Sequence, residues 1–174
     1  MGVAPPRLVI SGGQSGGDLG GNEGARVAGV ATCVRTFRGF QPLGGRRLEQ
    51  LGYPVYWLDL QGSYAAKLHQ RTEHNVLAGD ATVIFVHRPV GETRGSLLTF
   101  DLCARHQRPV CVLTLGHRDT TKRLVAFLRR QVLAAPAPLV LNVAGQRTCN
   151  EAHVALLLSA ALRLLTQEVH PEVA

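Results

Sequence analysis

The chain has 174 residues, 45% of them hydrophobic and 18% charged, which is typical of a globular protein and excludes a disordered one. This length favours one domain over residues 1–174, and the lack of an apolar stretch of about 18 residues predicts no membrane span. The formal net charge is +7, yet no basic run is interleaved with aromatic residues, so we expect an anionic small ligand and not nucleic acid.

The first half of the chain alternates predicted strands and helices. A β-branched run that ends in glycines predicts the first strand, and alanine and valine at helical spacing predict a helix weakened by four glycines. A long segment rich in Gly, Arg and Pro predicts a loop, and its unusual length favours a functional role. The predicted elements are strand Arg7–Ser11, helix Asp18–Gly29, strand Ala31–Thr36, loop Phe37–Pro54 and edge strand Val55–Leu58.

The second half continues this alternation. It predicts helices Ser63–Ala78, Gly95–His106, Thr120–Leu133 and Ala152–Val169, and strands Thr82–His87, Pro109–Leu115 and Pro138–Val143. The third of these helices has a basic face, and the last is too apolar for a lone surface helix, which predicts burial against the sheet or an oligomer interface. Strands alternating with helices predict an α/β fold with a Rossmann-like, doubly wound, mostly parallel sheet.

The segment SGGQSGGD follows the first predicted strand and opens the first predicted helix. In a doubly wound fold this is the place of the phosphate-binding loop, because glycines let a ligand approach and helix N-terminal amides attract anions. The alternative is an ordinary tight turn with Asp18 as the helix cap. The position after a first strand favours a ligand loop, whose candidate residues are Gly12, Gly13, Gln14, Ser15, Gly16 and Asp18.

Three further segments carry polar residues that could face a ligand. Arg71, His74 and Asn75 share one face of a predicted helix, although spacing alone favours a solvated face. The segment GETRGSLLT follows a buried strand and would converge with the glycine loop at one crevice. The segment LNVAGQR includes the last strand, has polar Asn142, Gln146 and Arg147 at its mouth, and is a weak signal alone. The alternative is a set of ordinary turns. The candidates are Arg71, Asn75, Arg94, Gly95, Ser96, Thr99 and Asn142.

Cysteine and histidine spacing predicts no protein metal site. Cys33, Cys103 and Cys111 lie in or beside apolar runs and are predicted to be small core residues. Cys149 lies in a polar turn and is the candidate for a reactive thiol. No signal peptide is visible in the opening residues, so a cytosolic protein is expected.

These segments, in this order, resemble the putative molybdenum carrier family, one of the Rossmann-like nucleotide-sensing (SLOG) and lysine-decarboxylase-like (LOG) proteins. The resemblance spans nearly the whole chain and is most specific in ISGGQSGGD, RTEHNV and LNVAG. Two departures from the family pattern are the glycines after Gln14, which would loosen the first helix, and the loop FRGFQPLGGRR, which lacks the family's usual Trp-Cys-Pro-Lys-Gly. The matching stretches are Ile10–Asp18, Gly44–Glu49, Arg71–Val76, Asp80–Phe85, Gly95–Thr99 and Leu141–Arg147.

The resemblance implies a carrier or sensor that binds a phosphorylated nucleotide-like or pterin-type ligand, such as the molybdenum cofactor, and that forms homo-oligomers. Related hydrolases carry a catalytic Glu in a loop where this chain has Leu97 and Leu98, so a LOG-type catalytic Glu is not evident. The alternatives are a nucleotide hydrolase that cleaves an N-glycosidic or phosphate-ester bond, with Asp18, Glu73 or Glu92 as acid or base, and a protein that sequesters a nucleotide second messenger.

Overall fold

The computed structural model describes residues 2–42 and 48–167 and shows strands and helices in strict alternation after the third strand. Two short 3-10 turns, Leu48–Leu51 and Val90–Glu92, interrupt the connections. The strands are β1 Leu8–Ser11, β2 Thr32–Thr36, β3 Val55–Trp57, β4 Ala81–Val86, β5 Val110–Thr114 and β6 Val140–Gly145. The helices are α1 Gly17–Val27, α2 Tyr64–Ala78, α3 Arg94–Arg105, α4 Thr120–Ala134 and α5 Glu151–Thr166.

The six strands form one parallel sheet in the order β3-β2-β1-β6-β4-β5. The Rossmann-like α/β fold predicted from the sequence is therefore confirmed. Strand β6, the last in the chain, lies between β1 and β4, with Leu8 opposite Val140 and Ala81 opposite Leu141. The chain leaves β1 toward β2 on one side and β4 toward β5 on the other, so the carboxyl ends of β1, β6 and β4 border the crevice where such folds bind ligands.

Helices cover the sheet in two groups. Helix α5 packs against both α1 and α4, and α2 packs against α3. Every residue of β4 is buried, which explains its continuous apolar run. Side chains cap two of the helices: Ser63 accepts a hydrogen bond from Ala66 N at the start of α2, and Asn150 accepts one from His153 N at the start of α5.

The apolar last helix is explained largely by this packing. Helix α5 buries seven of its sixteen residues, among them Leu158 and Leu162, in the core beside α1 and α4. Leu156 and Leu164 stay exposed. The helix ends at Thr166, and residues 168–169 of the prediction lie outside the described part of the chain.

The long predicted loop is partly ordered by its own apolar residues. Phe37, Phe40 and Leu48 are buried in a second core with Leu19 and Val34. Most of the segment Gly44–Glu49, which contributed to the family resemblance, falls on residues 43–47 and lies outside the described residues. No helix within residues 2–42 and 48–167 is long and apolar enough to cross a membrane.

Candidate functional site

A cavity of about 440 Å³ lies where the carboxyl ends of β1, β4 and β6 meet the starts of α1 and α3. Its volume falls in the range of small-molecule pockets. The lining comes from four parts of the chain: the loop after β1, helix α2, the start of α3 and the end of β6. The polar lining residues are Gln14, Asp18, Arg71, Thr72, Asn75, Thr93, Arg94, Ser96, Thr99, Asn142, Gln146, Arg147 and Thr148.

Arg71 brings a buried positive charge to this cavity. Its Nη1 donates to the carbonyl oxygen of Gly12 at 3.0 Å, and its guanidinium lies 4.7 Å from the centre of the Phe40 ring. The Nε of Arg71 is buried without a hydrogen-bond partner. A Cβ atom at position 12 would lie 2.7 Å from Arg71 Cζ, so Gly12 is required for this packing. A buried cation with an unused donor favours an anionic ligand.

Asn75 lies one helical turn further along α2 and is also buried at the cavity. Its Nδ2 donates to the carbonyl oxygen of Arg35 at 3.1 Å, which fixes the amide and leaves Oδ1 without a donor. Spacing alone favoured the interpretation that the polar residues on this face of α2 are exposed to solvent. This interpretation is therefore wrong for Arg71 and Asn75. It is correct for His74, which is exposed.

Asp18 is the buried carboxyl of the cavity, with 5% of its surface exposed. Its Oδ2 accepts a hydrogen bond from Gln14 N at 3.2 Å. Burial raises the pKa of Asp18 to about 6, because the loss of hydration outweighs the attraction of Arg71 and the amides of Gln14, Gly145 and Gly12. This carboxyl changes charge close to physiological pH.

The amides of the glycine loop are largely used inside the protein. Gly13 N donates to Ser11 Oγ, Gly16 N to Glu151 Oε1 at 3.0 Å, and Gly17 N to the carbonyl oxygen of Gln146 at 3.2 Å. Gln14 N is taken by Asp18. Oxygens of the protein itself therefore accept from these four amides, so a phosphate would have to replace them, and the role of the loop in holding a phosphate stays a prediction.

The start of α3, in contrast, carries donors without acceptors. No side chain caps this helix, and within the described part of the chain the amides of residues 94–96 have no hydrogen-bond acceptor. Ser96 is 3% exposed and its Oγ is buried without a partner. Arg94 is exposed at the same rim. An uncapped helix N-terminus with an adjacent guanidinium and an unused hydroxyl attracts phosphate groups.

Gln146 joins the loops around the cavity and is missing from the candidates that the sequence predicted. Its Oε1 accepts from His87 N at 3.0 Å and Arg88 N at 3.2 Å, while its Nε2 donates to the Arg88 carbonyl oxygen at 3.0 Å. Its main chain bonds to Phe85 and Gly17. The glutamine therefore fixes the loop after β4 against the end of β6. The sequence feature that could have identified Gln146 is its position directly after the last strand.

The structure brings ten of the thirteen predicted ligand residues to one cavity: Gly12, Gln14, Asp18, Arg71, Asn75, Arg94, Gly95, Ser96, Thr99 and Asn142. It does not bring the other three there. A Cβ at Gly13 would meet Val34, a Cβ at Gly16 would meet the carbonyl oxygen of Gln146, and Ser15 is buried outside the lining.

Two of the three candidate acids lie outside the cavity. Glu73 pairs with His106 on the α2–α3 surface, where its Oε1 lies 2.7 Å from His106 Nε2, and hydrogen bonding to this histidine lowers the pKa of Glu73. Glu92 is exposed in a 3-10 turn. Asp18 is the candidate acid that the cavity contains.

The prediction of a reactive thiol at Cys149 is wrong. Cys149 is 5% exposed, its Sγ donates to the Phe85 carbonyl oxygen at 3.4 Å, and burial raises its pKa. Although the neighbouring residues in this turn are polar, the side chain of Cys149 packs in the main hydrophobic core. Within the part of the chain that the structure describes, no three His, Cys, Asp or Glu residues are grouped so that they could hold a metal ion.

Comparisons with known proteins agree with the fold and with the resemblance. A family model described as the circularly permutated YpsA SLOG family matches residues 9–166. The crystal structure of a putative molybdenum carrier protein from Syntrophus aciditrophicus SB is similar, with a TM-score of 0.71 and 24% sequence identity over 95% of this chain and 98% of that one. At this identity the likeness shows the fold alone. No curated protein matches the chain.

Proposed function

Because this chain belongs to the circularly permuted YpsA SLOG family, we propose that it binds a phosphorylated nucleotide-like or pterin-type molecule in the cavity between α2 and α3. The carrying observation is a set of unused donors on residues that line one cavity: Arg71 Nε, Ser96 Oγ and the uncapped start of α3. Buried donors without acceptors cost stability in the free protein, and a phosphate oxygen would satisfy them.

The two ends of the cavity suit two parts of such a ligand. The phosphate would lie at residues 94–96, with Arg94 at the rim. The heterocycle would lie toward Asn75 and Asn142; the Oδ1 of Asn75 needs a donor, and the amino and ring N–H groups of purines and pterins supply one. Arg71 would neutralise charge between these ends.

The donor set also suits the molybdenum cofactor as cargo. The lining offers arginine, hydroxyl and amide groups, which fit the phosphate and ring of a pterin, whereas no cysteine or histidine of the described residues contributes to it. We therefore propose that any bound metal would be held by the organic ligand and not by side chains of this protein.

Calorimetric titration of the purified protein with nucleoside monophosphates and the matching nucleosides tests this proposal. We expect the nucleotides to bind and Arg94→Ala or Ser96→Ala to weaken them roughly tenfold, since a hydrogen bond to a charged group contributes about 1.5–3 kcal/mol. The nucleosides should be affected little. Arg105→Ala, in the last turn of the same helix, is the control for the lost charge.

Native mass spectrometry of protein as purified should precede these titrations, because a co-purified pterin or nucleotide would identify the ligand class directly. Equal effects of Arg94→Ala and Arg105→Ala would contradict the phosphate position. The proposal is wrong if neither nucleotides nor pterins bind.

Asp18 gives a specific reason to consider nucleotide hydrolysis as a second function. A carboxyl in the cavity with a pKa of about 6 is suited to general acid or base catalysis near neutral pH. Chromatography of a nucleotide panel after incubation would detect a released base or phosphate, and Asp18→Asn should abolish that release. If the nucleotides bind tightly but stay intact, hydrolysis is contradicted and binding is the only function that remains.

A further inference from the structure

A second concave surface lies on helix α4, outside the proposed ligand cavity. This groove has a volume of about 1110 Å³ and is formed by α4 and Leu164 of α5. Among the residues that the structure describes, it shares none of its lining with the ligand cavity. The surface was visible in the sequence as the basic face of the predicted helix Thr120–Leu133, and nothing in the proposed function uses it.

The floor of this α4 groove is apolar. Val125, Arg129 and Leu133 follow one another at intervals of four residues, so they lie on one face of α4. Leu133 is 69% exposed and Leu164 is 41% exposed. Single exposed leucines are common on protein surfaces, but several in one groove mark a site that another apolar surface covers.

The rim of the groove is basic. Arg118, Lys122, Arg129 and Arg130 line it, and among residues 2–42 and 48–167 no carboxylate does. Among the described residues, the one ion pair made by these cations joins Arg118 Nε to Asp119 Oδ2 at 4.0 Å. Arg129 is half-buried and its Nε has no hydrogen-bond partner. These unneutralised charges are complementary to carboxylates on an occupant.

We propose that the α4 groove binds an acidic amphipathic helix of another protein. Leucine-like side chains at helical spacing would fill the floor over Val125 and Leu133, and flanking Glu or Asp residues would pair with Arg129 and Arg130. A second copy of this chain related by a twofold axis would place the same cations against each other. Nucleic acid offers no aliphatic side chains to cover the leucines of the floor.

A displayed library of random peptides of about 15 residues, long enough for four helical turns, tests this proposal on the full chain. We expect the enriched sequences to combine acidic residues with apolar residues three and four apart. The best peptide, measured by fluorescence anisotropy, should lose roughly tenfold or more in affinity with Leu133→Asp and with Arg129→Glu. Leu77→Asp, at an exposed site on α2, is the matched control and should not change the affinity.

Three results would overturn the proposal. One is enrichment of peptides without the acidic amphipathic pattern, or of none at all. Another is an equal loss of affinity in Leu77→Asp. The third is tighter binding of phosphatidylglycerol vesicles or duplex DNA than of the peptide, with the same dependence on Leu133 and Arg129. Thermal unfolding of each variant separates lost binding from lost folding, and nucleotide titration separates this surface from the ligand cavity.

Discussion

Asp18 is a buried carboxyl whose environment changes its acidity. Backbone amides, among them that of Gln14, and the positive charge of Arg71 favour its ionised form, yet burial still raises its pKa to about 6 from 3.8. The folded protein therefore holds this proton more tightly than the unfolded chain does. Ionised Asp18 is a cost to folding at neutral pH, and such costs are common at sites that bind or react with a ligand.

The raised pKa predicts how stability depends on pH. Between about pH 4 and pH 6 the folded state binds this proton and the unfolded state does not, so the contribution of Asp18 falls as the pH rises through this window and stays low above it. Asp18→Asn should remove the effect, so that the stability of the variant relative to the natural chain increases by up to about 3 kcal/mol from pH 4 to pH 7.

Chemical denaturation at a series of pH values measures this difference. Asp101→Asn removes an exposed carboxyl from α3 and is the control for the change in net charge. A difference between Asp18→Asn and the natural chain that is constant over the pH range would contradict the assignment of the pKa.

At the level of elements, helix α1 shows why the number of its glycines alone gave a wrong prediction of how regular the helix is. The sequence predicted a loosened helix, but α1 is regular over Gly17–Val27 and makes its most extensive packing with α5. A Cβ at Gly24 would lie 2.8 Å from the carbonyl oxygen of Ala155, and one at Gly21 would lie 2.4 Å from Val143 Cγ1. The glycines allow the α1 backbone to lie directly on α5 and β6.

Alanine substitution should therefore have opposite effects in two helices. Gly24→Ala gains about 1 kcal/mol of helix propensity but forces α1 away from α5, and overpacking costs about 1–3 kcal/mol, so the free energy of unfolding should fall. Gly95→Ala, where nothing lies within 4 Å of the new methyl group, should be neutral or stabilising. Urea denaturation of both variants measures this, and a stabilised Gly24→Ala would show that the contact relaxes without cost.

Much of the fold and part of the site followed from the sequence. Strands β4 and β5 were predictable because both are continuous apolar runs, and polar residues after them marked the crevice. The prediction that both are buried is correct for β4 but wrong for β5, which lies at the edge of the sheet and buries only Leu113 of its five residues. The sequence indicated Gln146 only as a polar residue after the last strand and Cys149 as a reactive thiol, because spacing cannot show that Gln146 bonds to the loop after β4 while Cys149 faces the core.

At the scale of the whole molecule, the exposed apolar residues outside the ligand cavity and the α4 groove are the part of the surface that still needs an explanation. We propose, as the family resemblance implies, that the chain assembles with copies of itself, and Leu156, which is 67% exposed on α5, is the candidate contact. Light scattering should then give a multiple of the 18.7 kDa chain mass. Leu156→Asp should return the mass to that of a monomer, whereas Leu133→Asp in the α4 groove should not. A monomeric natural chain would contradict the proposal.

The place of β6 between β1 and β4 also has a consequence for how the chain is made. Strands β1 to β3 form one half of the sheet and β4 and β5 the other, and the strand that joins them begins at Val140. During synthesis from the amino terminus, most of the polypeptide leaves the ribosome before the sheet can close. Until then β1 and β4 each present an unpaired edge, so the nascent chain is open to chaperones and proteases until β6 emerges.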